Sequence, residues 1–347
     1  MNVLITGGAG YIGSHIVLSL LQENYNVWVL DNLCNSSHIA LQRVEKLTGK
    51  SLFFCQGDVR NRADLDNIFC KNQINSVIHM AGLKSVNESI KNPVRYYQNN
   101  VSGTLTLLES MKKYRITKLI FSSSATVYGN PVNNPLSENS DAGNTTNPYG
   151  ASKFMAEKIM SEMVDAQPEF SVTALRYFNP VGAHHSGMIG EHPEGIPNNL
   201  LPYILQVANG LRSHLPVFGD DYDTPDGTGI RDYIHVMDLA EGHIQALKHL
   251  KQGYRKYNLG TGQGYSVLDI VRMFECVSGK TIPLDIRPRR PGDVPVCLAD
   301  PGLAHKELEW QATRNLITML SDAWRWHKQN PNGYIAHSTG AKCNVKR

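Results

Sequence analysis

The first 31 residues, MNVLITGGAGYIGSHIVLSLLQENYNVWVLD, decide the fold class of this chain. An apolar run over residues 2–6 is typical of a buried strand, and it leads directly into a glycine-rich turn. Residues 14–23 then carry apolar side chains at helical spacing, and residues 26–30 form a second apolar run that ends at Asp31. The order of strand, glycine turn, helix, strand and acid predicts a βαβ unit that binds a dinucleotide.

The glycine turn provides what a pyrophosphate requires. Gly7, Gly10 and Gly13 allow a tight turn, close approach of the backbone to the phosphates, and contact between helix and sheet. The helix that follows presents free N–H groups to an anion. Asp31 lies 18 residues after Gly13, where a carboxylate binds the adenosine ribose hydroxyls and repels a 2′-phosphate, so NAD is favoured over NADP. A glycine-rich turn without a ligand is the alternative, and it leaves Asp31 unexplained.

Further apolar runs alternate with helical stretches through the first half of the chain. They predict additional strands over residues 52–55, 76–80, 117–122 and 171–176. This alternation indicates the α/β fold class, with a Rossmann-type doubly wound parallel sheet and helices on both of its faces. The ligand crevice of such a sheet lies at the carboxyl ends of its strands.

After residue 176 the elements become shorter and more irregular, with more Pro and Gly. We therefore predict an NAD-binding Rossmann domain over residues 1–178, to which a helix at 236–250 returns. A smaller mixed α/β substrate-binding domain is expected over residues 179–330, followed by a loosely ordered tail at 331–347.

The composition limits the classes of partner and compartment. The chain has 347 residues, of which 41% are hydrophobic, and its net charge is +3 with acids and bases interspersed, so neither a nucleic-acid surface nor membrane association is expected. No apolar run approaches the ~20 residues of a membrane span. The chain shows no signal-peptide pattern, and its six cysteines form no Cys-x-x-Cys pair. We expect reduced thiols in a cytoplasmic protein.

Tyr149 and Lys153 lie four residues apart in the sequence PYGASK, residues 148–153. On a helix these side chains share one face, which would place the lysine ammonium beside the phenol. A nearby cation favours the phenolate and lowers a tyrosine pKa from its ordinary value of about 10, so the tyrosine becomes a usable base. Such a pair alone is weak evidence, because most are solvated helix faces.

Six longer motifs carry a resemblance to a known family. They are TGGAGYIGSH at 6–15, LDNLCNS at 30–36, FSSSATVYG at 121–129, RYFNPVGA at 176–183, GIPNNL at 195–200 and DGTGIRDYIHV at 226–236. The chain resembles the extended short-chain dehydrogenase/reductase superfamily and, within it, the UDP-glucose (UDP-galactose) 4-epimerase family. The likeness runs from residue 1 to about residue 330.

The resemblance implies a catalytic set and a reaction. Tyr149 would be the base, Lys153 its tuning cation and ribose ligand, and Ser124 the hydroxyl that positions the sugar oxygen. The sugar C4 hydride would pass to NAD and return to the opposite face of a 4-keto intermediate.

Three other functions are alternatives to this reaction. A 4,6-dehydratase carries Asp-Glu where this chain has Ala125 and Thr126. A UDP-uronic acid decarboxylase would need a cationic pocket for the sugar carboxylate, and no extra arginine is evident. A non-catalytic NAD sensor usually lacks part of the Ser/Tyr/Lys set, which is complete here.

The resemblance also implies two sets of binding residues. The NAD site would comprise Gly7, Gly10, Tyr11, Ile12, Gly13, Asp31, Asn32, Asn35, Ser36, Asp58, Val59, Met80, Ala81, Gly82, Lys84, Asn99, Ser122, Tyr149, Lys153, Tyr177 and Phe178. The UDP-sugar site, in the smaller domain and at the crevice, would comprise Lys84, Ser124, Tyr149, Asn179, Asn199, Leu200, Val217, Phe218, Arg231, Tyr233, Val267, Arg290, Asp293 and Cys297. Arg289 competes with Arg290 as the diphosphate ligand.

Cys297 stands where glucose/galactose-restricted relatives typically carry tyrosine beside the sugar. The smaller side chain leaves volume for a 2-N-acetyl group, which suggests activity on UDP-N-acetylglucosamine and UDP-N-acetylgalactosamine as well. The alternative is a tolerated packing change in a pocket that stays selective for glucose and galactose.

Two further expectations concern charged residues and assembly. His184, His185 and His192 cluster with Glu191, but their spacing matches no metal motif, so a solvated polar loop is expected and no metal. Glu138 and Asp141 are expected to be loop charges. The resemblance suggests a homodimer, with Pro93–Met111 and Asn147–Asp165 as interface helices.

Overall fold

The structure, a computed structural model, describes residues 1–131, 133–193, 197, 199–290 and 292–334. Its strands are β1 (Asn2–Thr6), β2 (Asn26–Asp31), β3 (Phe53–Gln56), β4 (Ser76–His79), β5 (Lys118–Ser124), β6 (Ser171–Tyr177), β7 (Asn179–Val181), β8 (Leu215–Phe218), β9 (Ile230–His235), β10 (Gly253–Leu259), β11 (Gly264–Ser266), β12 (Leu284–Arg287) and β13 (Val296–Cys297). Its α-helices are α1 (Tyr11–Gln22), α2 (His38–Thr48), α3 (Arg62–Lys71), α4 (Val86–Lys91), α5 (Pro93–Tyr97), α6 (Gly103–Lys113), α7 (Pro148–Ala166), α8 (Leu200–Ala208), α9 (Val236–Lys248), α10 (Val267–Ser278), α11 (Gly302–Leu308) and α12 (Leu316–Gln329).

Seven parallel strands form the main sheet, in the order β10-β6-β5-β4-β1-β2-β3. The strand order reverses beside β1, so a crevice opens there at the carboxyl ends of the strands. The predicted Rossmann-type parallel sheet is confirmed. The seventh strand, β10, was not among the six predicted from the first half of the chain.

Side chains alternate across the main sheet and enter two separate cores. Val3 and Ile5 of β1 pack in one cluster with residues of α1 and α9, whereas Leu4 packs in the other with residues of α3, α6 and α7. Both faces of the sheet are therefore covered, which explains why its strands are continuous apolar runs in the sequence.

The smaller part of the molecule has its own mixed sheet and core. Strand β9 pairs in parallel with β7 and β13 and antiparallel with β11, while β8 and β12 form a separate parallel pair. Buried side chains of α8, α10 and α12 form the third core cluster. A single residue, Phe178, separates β6 of the main sheet from β7 of this one, so the two sheets meet beside the crevice.

Two element boundaries differ from prediction in ways that matter for the site. Helix α1 begins at Tyr11 and not at residue 14, because Tyr11 and Gly13 already have helical geometry after the turn ends at Gly10. Strand β5 continues through Ser124 and not to residue 122, because the polar residues still pair in register with β6. Among the described residues, none of the helices combines the length and apolar character needed to cross a membrane.

Candidate active site

The glycine turn brings the main chain of β1, α1 and the segment after β4 into close contact. Gly7 has φ +72°, and a β-carbon there would lie 2.7 Å from the Ala81 nitrogen. A β-carbon at Gly13 would lie 2.3 Å from the Gly7 oxygen. Gly10 precedes α1 without a side-chain cap, so the N–H groups of the first helical turn remain available to an anion. The turn therefore fits the pyrophosphate of a dinucleotide.

Asp31 is buried at the end of β2 and organises the residues around it. One carboxylate oxygen accepts a hydrogen bond from the Ala9 nitrogen at 3.0 Å. The other accepts from the Leu33 nitrogen at 2.9 Å and from the Ser36 hydroxyl at 2.8 Å. A carboxylate has about four acceptor positions, so one remains for a ribose hydroxyl. Ile12 is partly buried against the core cluster that contains Val3 and Ile5 of β1. Asn35 is exposed in the loop after β2.

Asp58 follows β3 and lies next to this loop. The Arg60 guanidinium donates to both Asp58 oxygens, at 2.9 and 2.7 Å, and holds the pKa of that carboxyl well below its usual range. Asn32 donates to Asp58 at 3.0 Å, and Val59 is buried beside them. Arg60 was missed from the sequence, although its position two residues after Asp58 is a usable signal for a local ion pair.

Residues 80–84 follow β4 and bridge the glycine turn to α7. The Ala81 nitrogen donates to the Thr6 hydroxyl at 3.3 Å, and Gly82 faces the Lys153 amino group. Asn99 lies in the π-helical turn Gln98–Ser102 and donates to Asn100 at 3.0 Å. These contacts place the predicted NAD residues of this segment on one edge of the sheet.

Tyr149 lies in the first turn of α7 and reaches Ser124. Asn147 caps this helix by accepting a hydrogen bond from the Gly150 nitrogen at 2.9 Å, and Pro148 occupies the first turn, where proline is tolerated. The Ser124 hydroxyl lies near the Tyr149 phenol and opposes the rise of the Tyr149 pKa that burial causes. Ser124 also accepts hydrogen bonds from the Thr126 nitrogen at 3.2 Å and the Thr126 hydroxyl at 3.0 Å. A substrate hydroxyl that enters between Tyr149 and Ser124 would meet both oxygens.

The expected lowering of the Tyr149 pKa by Lys153 does not occur between the described protein groups. Burial raises the pKa of Tyr149, and the nearby Ser124 hydroxyl and the charge of Lys84 oppose this rise. Lys153 instead donates to the Ser122 carbonyl oxygen at 2.7 Å and lies 5.0 Å from the centre of the Phe121 ring. Burial lowers the pKa of Lys153 to about 8, with Glu157 opposing.

Lys84 is fixed by an ion pair that the sequence did not indicate. Its amino group lies 2.9 Å from a Glu191 oxygen and 5.9 Å from the centre of the Tyr11 ring. Burial lowers the pKa of Lys84, but Glu191 outweighs this effect and the pKa is raised overall. The Tyr11 hydroxyl donates to the Gly182 oxygen at 2.7 Å. The Tyr11 and Lys84 side chains therefore connect the glycine turn and the segment after β4 to residues that follow β7.

The loop around Glu191 is not the solvated loop that was expected. His184 is buried and its ring bonds the Ser186 hydroxyl at 2.8 Å, and the Glu191 side chain is only 13% exposed because Lys84 pairs with it. His185 is exposed, and His192 packs edge-on to the Tyr334 ring. Within the part of the chain that is described, no three His, Cys, Asp or Glu side chains are arranged to hold a metal.

Two arginines of the smaller part converge on one carboxylate. Arg290 donates to Asp293 at 2.8 Å and lies 4.9 Å from the centre of the Phe218 ring, while Arg231 approaches Asp293 at 3.9 Å. Arg289 instead pairs with Asp221 at 2.7 Å. The geometry therefore favours Arg290 over Arg289 as the partner of Arg231 in binding a diphosphate.

The other predicted substrate residues differ in exposure. Asn179 opens β7 and pairs with Tyr233 of β9, whereas Asn199 is exposed before α8 and Leu200 is partly buried at its start. Val267 is partly buried at the start of α10. The Val217 and Tyr233 side chains are buried in the core of the smaller part.

Cys297 ends β13 of the smaller mixed sheet. It pairs in register with Arg231 and packs against a small cluster that includes Phe178, Tyr128 and Ala299. Burial raises the pKa of the Cys297 thiol to about 11, so it remains a neutral, small apolar group. Phe178 and Arg231, beside which it lies, are themselves predicted site residues.

Two predicted site or loop residues belong to buried polar networks. The Tyr177 hydroxyl bonds the His243 ring and donates to the Met80 sulfur at 3.4 Å, which fixes the base of the crevice. Glu138 is not a solvated loop charge, because it is buried and accepts a hydrogen bond from the Asn258 nitrogen at 2.7 Å. Its neighbours in the sequence are polar, so no local pattern indicates this burial.

Comparisons with known proteins agree with this geometry. The NAD dependent epimerase/dehydratase family matches residues 3–260. The UDP-glucose 4-epimerase of Yersinia enterocolitica is 61% identical over 334 residues, which are 96% of this chain and 99% of that protein. The crystal structure of UDP-glucose 4-epimerase from Bifidobacterium longum in complex with NAD+ and UDP has a TM-score of 0.94 at 51% identity, and covers 96% of this chain and 100% of that one.

A more distant structural neighbour is the UDP-Glc/GlcNAc 4-epimerase of Campylobacter jejuni. It has a TM-score of 0.83 at 35% identity, and the match covers 94% of this chain and 99% of that one.

Proposed function

This chain belongs to the NAD dependent epimerase/dehydratase family, and from that premise we propose that it is an isomerase that interconverts UDP-glucose and UDP-galactose at C4. The observation that carries the proposal is that Ser124 at the end of β5 and Tyr149 and Lys153 on α7 lie together at the carboxyl ends of the strands of the main sheet. The glycine turn lies at the same edge of the sheet, so a nicotinamide would lie beside these residues. The names of the similar proteins support the same reaction.

The residues that would hold NAD lie in the glycine turn and next to it. The glycine turn and the start of α1 bind the pyrophosphate, Asp31 binds the adenosine ribose, and Lys153 binds the nicotinamide ribose. Bound NAD supplies the hydride acceptor and donor. The protein itself supplies orientation, exclusion of water and the proton.

Tyr149 is the group that moves this proton. Its phenolate accepts the proton of the sugar 4-hydroxyl, while Ser124 holds the same sugar oxygen by a hydrogen bond. Lys84 opposes the rise of the Tyr149 pKa, and cationic charge near the phenol favours the phenolate further. The 4-keto sugar would then turn within the pocket, and Tyr149 would return the proton to the C4 oxygen when the opposite face of the sugar is reduced by the bound cofactor.

The alternatives lack the groups that they require. Dehydration needs an added acid and base beside Ser124, and Ala125 and Thr126 supply no carboxylic acid; the Thr126 hydroxyl is engaged with Ser124. A purely NAD-sensing protein has no use for the complete Ser124, Tyr149 and Lys153 set.

Turnover of UDP-sugars by the purified protein tests the proposal. UDP-galactose formation from UDP-glucose is followed by NMR without added NAD, so that retained cofactor is tested at the same time. Tyr149→Phe keeps the ring and removes the hydroxyl, and we expect a loss of at least about 100-fold in kcat, the range of a general base. Normal turnover by Tyr149→Phe, or no turnover by the wild type, contradicts the assignment.

We further propose that the substrate range includes UDP-N-acetylglucosamine and UDP-N-acetylgalactosamine. Cys297 is small, neutral and next to Arg231, and the Campylobacter jejuni neighbour is described as a UDP-Glc/GlcNAc 4-epimerase. Cys297→Tyr is expected to abolish N-acetyl turnover and to spare glucose turnover. Equal N-acetyl turnover by the variant and the wild type would remove the argument.

The proposed assembly is a homodimer through α5, α6 and α7. Four large apolar side chains are exposed on α4 to α7: Ile90, Val94, Leu105 and Met155. A shared apolar surface is typical of a stable interface between copies of a chain. Sedimentation of wild type and Val94→Glu tests this, with a monomeric wild type as the contrary result.

We also propose a cytoplasmic location, which the free thiols of the described cysteines support. In the predicted tail, residues 335–347 lie outside the described residues.

A further inference from the structure

Three consecutive serines at the end of β5 each contact a different residue of α7. The Ser122 carbonyl oxygen accepts from Lys153 at 2.7 Å, and the Ser123 hydroxyl donates to Glu157 at 2.5 Å. The Ser124 hydroxyl lies near the Tyr149 phenol and opposes the rise of its pKa on burial. The α7 residues are four apart, so they form one stripe along the helix. The strand end and the helix are thus joined at three successive points, of which two belong to the catalytic set.

The contact between Ser123 and Glu157 is the strongest of the three. Glu157 is 4% exposed, and Arg176 of β6 binds both of its oxygens, at 3.0 and 2.6 Å. Together with the Ser123 hydroxyl, this makes three charge-assisted hydrogen bonds to one buried carboxylate. The ion pair crosses from α7 to the strand next to β5, so it fixes the height of the helix over the sheet.

The ion pair continues into a buried polar network that includes Tyr128, Asn258 and Glu138. The Arg176 guanidinium lies 4.8 Å from the centre of the Tyr128 ring, and the Tyr128 hydroxyl donates to Asn258 at 2.6 Å. The Asn258 nitrogen in turn donates to Glu138. Tyr128 ends the 3₁₀ turn Ala125–Tyr128, which Ser124 caps, so the network supports the serines from both ends.

We propose that Glu157 is a positioning residue, whose bonds with Ser123 and Arg176 hold Tyr149 and Lys153 in reacting geometry. This inference rests on the proposed epimerase activity. A rotation or slide of α7 by a fraction of its rise per residue would move Tyr149 relative to Ser124, and the bonds of Lys153 with Ser122 and of Glu157 with Ser123 oppose such a movement. An error of about 1 Å in such geometry costs on the order of 100-fold in rate.

The charge of Glu157 has a second effect, which a merely structural role would lack. The groups that face the Lys153 ammonium are the Phe121 ring and Ser122 carbonyl of β5, His79 of β4 and Glu157 of α7. His79 stays neutral, because burial lowers its pKa to about 3. Glu157 is the carboxylate that keeps Lys153 charged against burial. Removing it makes Lys153 lose its proton at a lower pH.

Glu157→Gln and the double variant Glu157→Leu/Arg176→Met test the inference by kcat, KM and the pH profile of kcat for UDP-glucose. The double variant removes both buried charges together, a change that commonly preserves folding. Arg314→Met is the matched control. It removes the ion pair between Arg314 and Asp238 of α9. Asp238 keeps hydrogen bonds from the Thr313 hydroxyl and from the main-chain nitrogen of residue 314.

We expect kcat to fall by about tenfold or more in both Glu157 variants, with KM changed less than about threefold. In Glu157→Gln the alkaline limb of the kcat profile moves to lower pH. Arg314→Met lowers the unfolding temperature and keeps the wild-type profile. Two results together overturn the inference: the folded double variant has wild-type kcat, and Glu157→Gln keeps the wild-type pH profile. If Glu157→Gln does not fold, the pH profile of the double variant takes its place. An inactive wild type would instead overturn the proposed function.

Discussion

Replacing Gly13 by alanine tests whether the cofactor turn depends on contact between α1 and the end of β1. A β-carbon at Gly13 would lie 2.3 Å from the Gly7 oxygen and 2.8 Å from the Gly8 α-carbon. Ordinary contacts begin at 3.4 Å, so the turn and the helix have to separate by about 1.1 Å, the difference between 3.4 and 2.3 Å. Both contacted atoms belong to the main chain, so no side-chain rotation relieves the overlap.

The expected effect has two parts. Overpacking of this kind lowers the free energy of unfolding by about 1–3 kcal/mol. The N–H groups at the start of α1 also lose their alignment on one phosphate, and we expect the NAD retained after purification to fall by about tenfold or more. Urea unfolding monitored by circular dichroism measures the first effect, and the absorbance of cofactor released on denaturation measures the second.

Gly10→Ala is the control for this experiment. A β-carbon at Gly10 would lie 3.4 Å from the Gly7 oxygen, which is an ordinary contact, so its unfolding curve should stay close to that of the wild type. The reasoning is refuted if Gly13→Ala unfolds together with Gly10→Ala and retains wild-type amounts of NAD.

Three other predictions follow from the site. Asp31→Ser removes the carboxylate that repels a 2′-phosphate, so the ratio of NADP to NAD affinity should rise by at least about tenfold in titrations; an unchanged ratio contradicts the role of Asp31. Burial lowers the pKa of Lys153 to about 8, so its charge is present below that pH and is lost above it. We therefore expect kcat to decline as pH rises through about 8. A kcat that stays flat to about pH 10 argues against a charged Lys153. Arg290→Lys should raise KM for UDP-glucose by about tenfold through loss of bidentate binding, whereas Arg289→Lys should leave it unchanged, and equal effects would show that Asp293 does not mark the diphosphate site.

The sequence predicted the main sheet well, because a parallel sheet that is buried on both faces is written as continuous apolar runs. Its glycine turn and Asp31 are local features, so a few adjacent residues were enough to place them. The same reasoning ended β5 too early, because Ser122 to Ser124 are polar but buried, and their burial depends on partners in α7 and β6.

Contacts between distant parts of the chain could not be predicted in this way. Lys84 and Glu191 are 107 residues apart and lie in irregular segments, so no periodicity connects them. The Tyr149 and Lys153 spacing correctly placed both residues on α7, but spacing does not show which polar group an ammonium prefers. The Ser122 carbonyl oxygen takes that bond, and Lys84 is the cation that acts on Tyr149.

The position of β10 has a consequence for how the protein is made. This strand covers β6 along seven residue pairs, and α9, just before it, packs against α1 at the other end of the sequence. During synthesis, the sheet that holds the cofactor therefore stays incomplete, with an open edge at β6, until residue 259 has left the ribosome. Strands β7, β8 and β9 of the smaller part are synthesised before β10, so the main sheet is completed only after part of the smaller sheet has left the ribosome.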